Sequence, residues 1–319
     1  MQNLKIVEIN KLQLEKVQKR IQPYIHRTPV LKSRLLNEIT GAELWFKCEN
    51  FQRMGAFKMR GAANAIMSLN EEKRKKGVIT HSSGNFAQAI SLAAKSLDVP
   101  AYIVMPETAP EVKKAAVRTY GGEITECPST IKDREETASG IEQKTGATFI
   151  HPSNDLDVIL GQGTAAIELL EEHPELDFVI TPVGGGGLIA GSALAVKYFG
   201  SDCKCIGAEP LEADDAWRSL KSGKIEINES ANTIADGLKT NLGDINFPII
   251  QENVERIIRV SEEEIKLALR LIWERMKIIV EPSSAVALAA IIKEKESFKN
   301  KKVGIIISGG NVDLERLEF

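Results

Sequence analysis

The sequence predicts an α/β protein of two lobes, each an open twisted sheet of mostly parallel strands with helices on both faces. Three observations predict it. Short apolar runs alternate with longer stretches that carry apolar residues at helical spacing. Turns rich in glycine or serine stand where a run ends and a helical stretch begins. The 319 residues have the apolar and charged fractions of an ordinary globular chain, with room for a large core.

The strand candidates, in order, are Leu44–Cys48, Val78–Thr80, Ala101–Met105, Glu123–Glu126, Thr148–Ile150, Phe178–Thr181, Cys205–Ala208 and Val303–Ser308. The helical stretches between them include Phe86 to Leu97, Ala109 to Tyr120, Leu156 to Leu170, Leu188 to Tyr198 and Glu262 to Met276. Such alternation builds βαβ units, whose sites sit at the carboxyl ends of strands. The region from Gly77 to Ile150 holds a complete small set of these units. It is expected to close as an inserted small domain, residues 77–150, with 1–76 and 151–319 forming the large one.

Bulk properties exclude several classes. A formal net charge of -3 gives no footing for a nucleic-acid binder or a polybasic membrane anchor. The basic run Lys73 to Lys76 is offset by Glu71 and Glu72 and reads as a solvated helix end. Cys48, Cys127, Cys203 and Cys205 lack zinc-site spacing and are too few for a disulfide scaffold, which points to a reducing compartment. The opening MQNLKIVEIN does not read as a signal peptide. No apolar stretch approaches the roughly 20 residues of a membrane helix. A cytoplasmic protein without nucleic-acid or membrane partners is expected.

Five segments carry chemistry. In Asn50 to Ala62, Lys58 falls in the first turn of a helix, where the helix dipole disfavours a cation. Taken alone it reads as an ordinary surface lysine; its alternative is a nucleophile whose proton is lost through desolvation. Gly184, Gly185, Gly186 and Gly187 follow a strand and precede a helix, so successive backbone N–H groups can converge on a phosphate. No Lys-Ser/Thr pair follows and the GxGxxG spacing is absent, so a monophosphate ester fits better than a nucleotide or dinucleotide. Ser82-Ser83-Gly84-Asn85 offers hydroxyls, an amide and free N–H groups at a helix start, suited to a carboxylate or to simple capping. Ser308-Gly309-Gly310-Asn311 after the last strand is a weak signal by itself. Glu209 to Asp215 is acidic, equally a solvated loop or a site for a hard divalent cation.

Together these motifs resemble the fold-type II pyridoxal-phosphate family, whose fold is that of the tryptophan synthase β chain. Serine racemases and the short threonine/serine dehydratases are the most similar members. The ordered match runs through the Lys58 segment, Ser82–Asn85, Gly161-Gln162-Gly163-Thr164, the four glycines, Ala235-Asp236-Gly237, Glu281-Pro282 and Ser308–Asn311, nearly the whole chain. The resemblance implies pyridoxal 5′-phosphate held as an imine on Lys58, its phosphate on Gly184 to Gly187, its phenolic oxygen on Asn85 and its pyridine nitrogen on Ser308. It implies an amino-acid substrate whose carboxylate meets Ser82, Ser83, Asn85 and Arg134. Ser83 matches the serine that exchanges a proton on the face opposite the lysine in racemases. Glu209, the Ala213 carbonyl and Asp215 match a magnesium or calcium site. A homodimer is implied as well.

One position departs from the pattern: relatives read SSGNH, and this chain has Phe86 in place of the histidine. That removes a polar contact near the substrate and leaves its side chain open. The chain extends little beyond Asn311, so feedback control by isoleucine is not expected.

The expected reaction is loss of water and ammonia from L-serine or L-threonine to give a 2-oxo acid, with Lys58 as base. A serine at the pyridine nitrogen holds the ring closer to neutral than a carboxylate would, which favours a substrate with a β-leaving group. Serine racemase and 3-hydroxyaspartate dehydratase are the alternatives in the same family. A non-catalytic module for a phosphorylated ligand is the alternative of another class.

Overall fold

The computed structural model describes residues 9–313. Residues 1–8, within the segment read as lacking a signal peptide, lie outside the described residues. Among the described residues there are ten strands: β1 Val30–Leu31, β2 Glu43–Cys48, β3 Val78–His81, β4 Ala101–Pro106, β5 Glu123–Cys127, β6 Thr148–Phe149, β7 Phe178–Pro182, β8 Lys204–Pro210, β9 Val254–Val260 and β10 Lys302–Ile307. They form a six-stranded sheet in the order β1-β2-β10-β7-β8-β9 and a four-stranded sheet in the order β5-β4-β3-β6. Every pairing is parallel except β1 with β2.

The central strands of the large sheet are apolar on both faces because helices cover both. Along β10, Ile305 and Ile307 face a core shared with the helices Glu262–Met276 and Pro282–Lys293. Ile306 faces the opposite core, shared with the helices Leu156–Glu172 and Gly187–Phe199. The two-residue period of a strand divides them. The four-stranded sheet is covered in the same way. Ile103 packs with Ile90 of the helix Asn85–Ser96, while Ile79 and Val104 pack beneath Ala138 of the helix Ile131–Thr145.

Two strands and several helices fall outside the sequence pattern. β1 is two residues long and carries no periodicity. β9, Val-Glu-Arg-Ile-Ile-Arg-Val, is interrupted by charge, which an edge strand tolerates because one flank meets water. In the helix Ile131–Thr145 only Ala138 is buried, so its apolar periodicity is faint. The helix Pro282–Lys293 is buried from Pro282 to Ile291, and a helix apolar all round has no periodicity to read.

Close backbone packing explains the Gly161-Gln162-Gly163 segment. A Cβ on Gly163 would stand 2.5 Å from the Gly191 carbonyl oxygen, and one on Gly161 would stand 2.6 Å from that of Arg60. The helix Leu156–Glu172 therefore touches both the helix Lys58–Ser68 and the helix Gly187–Phe199, backbone against backbone. Beneath the first contact lies a buried ionic cluster. Arg60 holds Glu49 at 2.7 Å and Glu168 at 2.8 Å, and Lys47 holds Glu168 at 2.7 Å. All four side chains are almost wholly removed from water.

Among the described residues no helix is long and apolar enough to cross a membrane, and all four cysteines are unpaired.

Candidate active site

Parallel strands deliver the chemistry-bearing segments to one side of the molecule, because each leaves its strand at the carboxyl end. Lys58 follows β2, Ser82 to Asn85 follow β3, the glycines follow β7, the acidic segment follows β8 and Ser308 follows β10. Local bonds join them. The Phe57 N–H donates to the Ser308 carbonyl at 3.0 Å, and the Gly310 N–H to the Gly55 carbonyl at 2.9 Å. Met54 enters this loop at φ 55, a conformation costly for a side chain with Cβ, and Asn311 Nδ2 clamps its carbonyl at 2.8 Å.

Lys58 opens its helix with its ammonium partly buried. Nζ donates to the Pro152 carbonyl at 2.8 Å and makes no ion pair among the described residues. The same carbonyl accepts from Gln162 Nε2 at 3.3 Å. The rings of Phe57 and Phe86 lie 5.0 and 5.6 Å from Nζ. Burial pushes the amine down to about 8, against the pull of Glu281. Phe86, at the position that departs from the family pattern, is thus a wall of the lysine's dry surroundings and belongs to the core.

The glycine turn has an orphaned donor set. Gly184, Gly185 and Gly186 are buried, yet their N–H groups make no hydrogen bond among the described residues. Buried N–H groups without partners are rare, and three in one turn fit an anionic ligand. Gly186 stands at φ 84, where the turn passes into the helix. Asn246 steadies the turn from outside, its Nδ2 donating to the Gly185 carbonyl at 2.8 Å and to the Ser153 carbonyl at 3.1 Å. The phosphate requirement of the cofactor implied by the sequence is therefore matched by the residues present.

Asn85 sits between both sheets. Its Nδ2 donates to the Glu281 carboxylate at 3.0 and 3.1 Å, and its Oδ1 accepts from Asn311 Nδ2 at 2.9 Å. One Nδ2 hydrogen remains for a ligand. Ser82 accepts from the Gly84 N–H at 3.3 Å, while the Ser83 hydroxyl has no partner among the described residues. Ser308 is buried, its hydroxyl 2.9 Å from that of Ser284. Arg134 makes no hydrogen bond to this group, although its charge acts on His81, the residue before Ser82. Its guanidinium is bonded to the carbonyls of Thr130 and Ser129 at 3.3 and 3.2 Å and reaches none of Ser82, Ser83 and Asn85.

The acidic segment divides by residue. Glu209 and Asp215 are fully buried and make no ion pair among the described residues. Glu209 accepts from the N–H groups of Ala216 and Trp217 at 3.0 and 2.9 Å, and Asp215 from Asn228 Nδ2 and the Leu242 N–H at 2.6 and 3.0 Å. Burial raises both carboxyls, Asp215 to about 6, and the neighbouring Asp215 charge raises Glu209 further. Ala213 is buried and its carbonyl accepts no hydrogen bond among the described residues. Asp214, by contrast, is held by Arg218 and Arg259. No group of three or more His, Cys, Asp or Glu among the described residues is placed to hold a metal.

Sequence reasoning assigned no role to several residues at the centre. Glu281 is the main one, although the Glu281-Pro282 pair stood in the ordered match to the family. Pro152 acts through its carbonyl, which any residue type would provide, so nothing in its side chain announced it.

Burial raises Glu281 to about 7, assisted by Asp236 and opposed by the Asn85 hydrogen bond, Lys113 and Lys58. A raised acid contributes stability that is complete below its ordinary value of 4.5 and is lost as pH rises through about 7. The loss amounts to about 3 kcal/mol. His151, which burial pushes down to about 4, has the opposite slope, losing stability as pH falls from 6.5 through that value. The two partly offset, so a variant is needed to separate them. Glu281→Gln should make the fall between pH 4.5 and about 7 shallower, leaving the part that the raised Asp215 and Glu209 contribute. Thermal unfolding midpoints across that window check it, and superimposable curves for the two proteins would refute it.

The chain is similar to known proteins along nearly its whole length. The family described as "Pyridoxal-phosphate dependent enzyme" matches residues 21–309. A serine racemase of Dictyostelium discoideum is 53% identical over 95% of this chain and 95% of its own. Its crystal structure superposes with a TM-score of 0.92, covering 96% of this chain and 99% of that one. A beta-hydroxyaspartate dehydratase of Paracoccus denitrificans is 50% identical over 94% of this chain and 95% of its own. The crystal structure of the T.th. threonine deaminase superposes with a TM-score of 0.91 at 43% identity, covering 96% of this chain and 99% of that one.

Proposed function

Because the chain belongs to the pyridoxal-phosphate-dependent enzyme family, we propose that it is a dehydratase that removes water and ammonia from L-serine or L-threonine, leaving a 2-oxo acid. The observation that carries the reading is Lys58: an amine held down to about 8, walled by two phenyl rings and bonded to a single carbonyl. Such an amine is close enough to neutral to accept a proton near physiological pH. Membership of an enzyme family sets aside a purely ligand-binding module.

The roles follow from the donors on hand. When bound, pyridoxal phosphate supplies a reactive aldehyde and an electron-accepting ring. The free N–H groups of Gly184 to Gly186, with Gly187 at the helix start, hold its phosphate. Asn85 gives its remaining Nδ2 hydrogen to the phenolic oxygen, with Glu281 and Asn311 fixing the amide. Ser308 meets the ring nitrogen. Ser82, Ser83 and the unused donors of Arg134 receive the substrate carboxylate. Lys58 Nζ takes the α-proton, and Phe57 and Phe86 keep water from it. Residues 77–150, which carry Ser82 to Asn85, act as the small domain that closes on the carboxylate.

Glu209, Asp215 and the Ala213 carbonyl take a divalent cation, magnesium or calcium. Two buried carboxylates without a counter-ion and an unpaired carbonyl support this, since oxygen ligands suit hard cations.

One observation favours a second reading, serine racemase: the Ser83 hydroxyl is free to exchange a proton. A substrate panel tests both. The purified holoenzyme is given L-serine, D-serine, L-threonine and L-threo-3-hydroxyaspartate, with magnesium or a chelator, and 2-oxo acid and enantiomer ratio are followed together. The expected result is 2-oxo acid from L-serine or L-threonine, slowed by chelator. D-serine appearing faster than pyruvate would establish the racemase instead. Release of 2-oxo acid from the hydroxyaspartate alone would make that compound the substrate. Indifference to chelator would remove the metal.

A further inference from the structure

Ser284 is the third residue of the helix Pro282–Lys293 and is fully buried. Its hydroxyl has three neighbours. It accepts from the Gly309 N–H at 2.8 Å, lies 2.8 Å from the Gly309 carbonyl oxygen, and lies 2.9 Å from the Ser308 hydroxyl. A hydroxyl has one hydrogen, and a carbonyl oxygen can only accept. The contact with the Gly309 carbonyl therefore uses the hydrogen of Ser284. The contact between the two serines must then use the hydrogen of Ser308. That hydrogen points inward, and Ser308 presents lone pairs to whatever faces it.

We propose that Ser284 is a positioning residue that turns the Ser308 hydroxyl into an acceptor toward the cofactor's ring nitrogen, favouring a proton on that nitrogen. The proposal rests on the reading of Ser308 as the ring-nitrogen contact. With Ser284 in place, a bonded chain runs from the ring N–H through Ser308 and Ser284 to the Gly309 carbonyl. The reverse chain, with Ser308 donating outward, breaks the bond from Ser284 to Gly309. The Gly309 carbonyl then keeps only the Glu281 N–H, at 3.0 Å.

The two directions differ by one hydrogen bond, about 1 kcal/mol, which is a shift of about one pH unit in the titration of the nitrogen. The helix start at Pro282 carries partial positive charge and works against a proton there. That effect is the same with and without the Ser284 hydroxyl, so it cancels in a comparison. The consequence alters the expectation drawn from sequence. A serine at the ring nitrogen need not leave a weak electron acceptor when a second serine directs it. The choice between elimination and racemisation then falls to the substrate's leaving group and to Ser83.

The test reads the nitrogen directly. Cofactor labelled with 15N in the ring is loaded into the wild type, Ser284→Ala, Ser284→Thr and Ser308→Ala, and its chemical shift is followed against pH in the resting holoenzyme. Ser284→Ala should lower the apparent pKa of the ring nitrogen by about one unit, and Ser284→Thr should restore it. Should Ser284→Ala fail to fold or load, Ser284→Cys, similar in size with only a weak donor, carries the same expectation. An unchanged titration in the Ser284 variants alongside a changed one in Ser308→Ala would overturn the proposal. An unchanged titration in Ser308→Ala would instead overturn the placement of Ser308 at the nitrogen.

Discussion

Replacing Lys58 with alanine should slow formation of 2-oxo acid by at least about 10³-fold, the scale lost when a positioned general base is removed. The fold should not suffer. Among the described residues the lysine side chain's one hydrogen bond is to the Pro152 carbonyl, and Gln162 still occupies that acceptor when the lysine is gone. The desolvation that lowers the amine to about 8 disappears with it. Lys58→Arg should not rescue turnover, because a guanidinium stays protonated and cannot serve as a base. Steady-state assays with L-serine, paired with thermal unfolding, check both halves. Turnover within tenfold of the wild type in Lys58→Ala would remove Lys58 as the base.

Arg60→Met is the substitution expected to cost most in stability. Arg60 supplies bonds to both carboxylates of the buried cluster and leaves Lys47 as the sole cation when removed. Glu49, wholly buried, would then have only the hydroxyl of Thr28 and the amide of Gln52. Breaking one partner out of a buried ionic cluster costs about 3–5 kcal/mol, far more than the cluster's net worth against an apolar replacement of every member. The thermal midpoint should fall by roughly 5 °C or more. A fall of less than about 2 °C would mean that Glu49 simply takes up a proton at no large cost. Lys58 begins the same helix two residues earlier, so turnover should fall with the midpoint even though Arg60 touches no ligand.

The apolar runs of β2, β7 and β10 were legible because helices cover both their faces, and the glycine turn was legible because four successive glycines between a strand and a helix mark themselves without any periodicity. Four positions show where reading stopped. β9 carries Glu255, Arg256 and Arg259, charges that only an edge position permits, and edge positions are fixed by tertiary structure. Pro152 contributes a backbone carbonyl, which is independent of residue type. Ser284 matters through a single hydrogen shared with a serine from a distant strand end, and nothing local marks that meeting. Arg134 is the reverse case. Family pattern pointed to it, and in the structure its guanidinium bonds the carbonyls of Thr130 and Ser129 on its own preceding turn, a local arrangement that no motif announces.

The strand order has a consequence for how the enzyme comes into being. β2 leads to Lys58 and β7 leads to the glycines, but they are not neighbours; β10 lies between them and pairs with both. Glu43 finds its partner only at Lys302. While the chain is still emerging from the ribosome, the four-stranded sheet has all of its own strands as soon as β6 is made. The strands that lead to Lys58 and to the glycines have no common partner until β10 is made. An incomplete chain therefore holds the pieces of the cofactor site without the strand that sets them side by side.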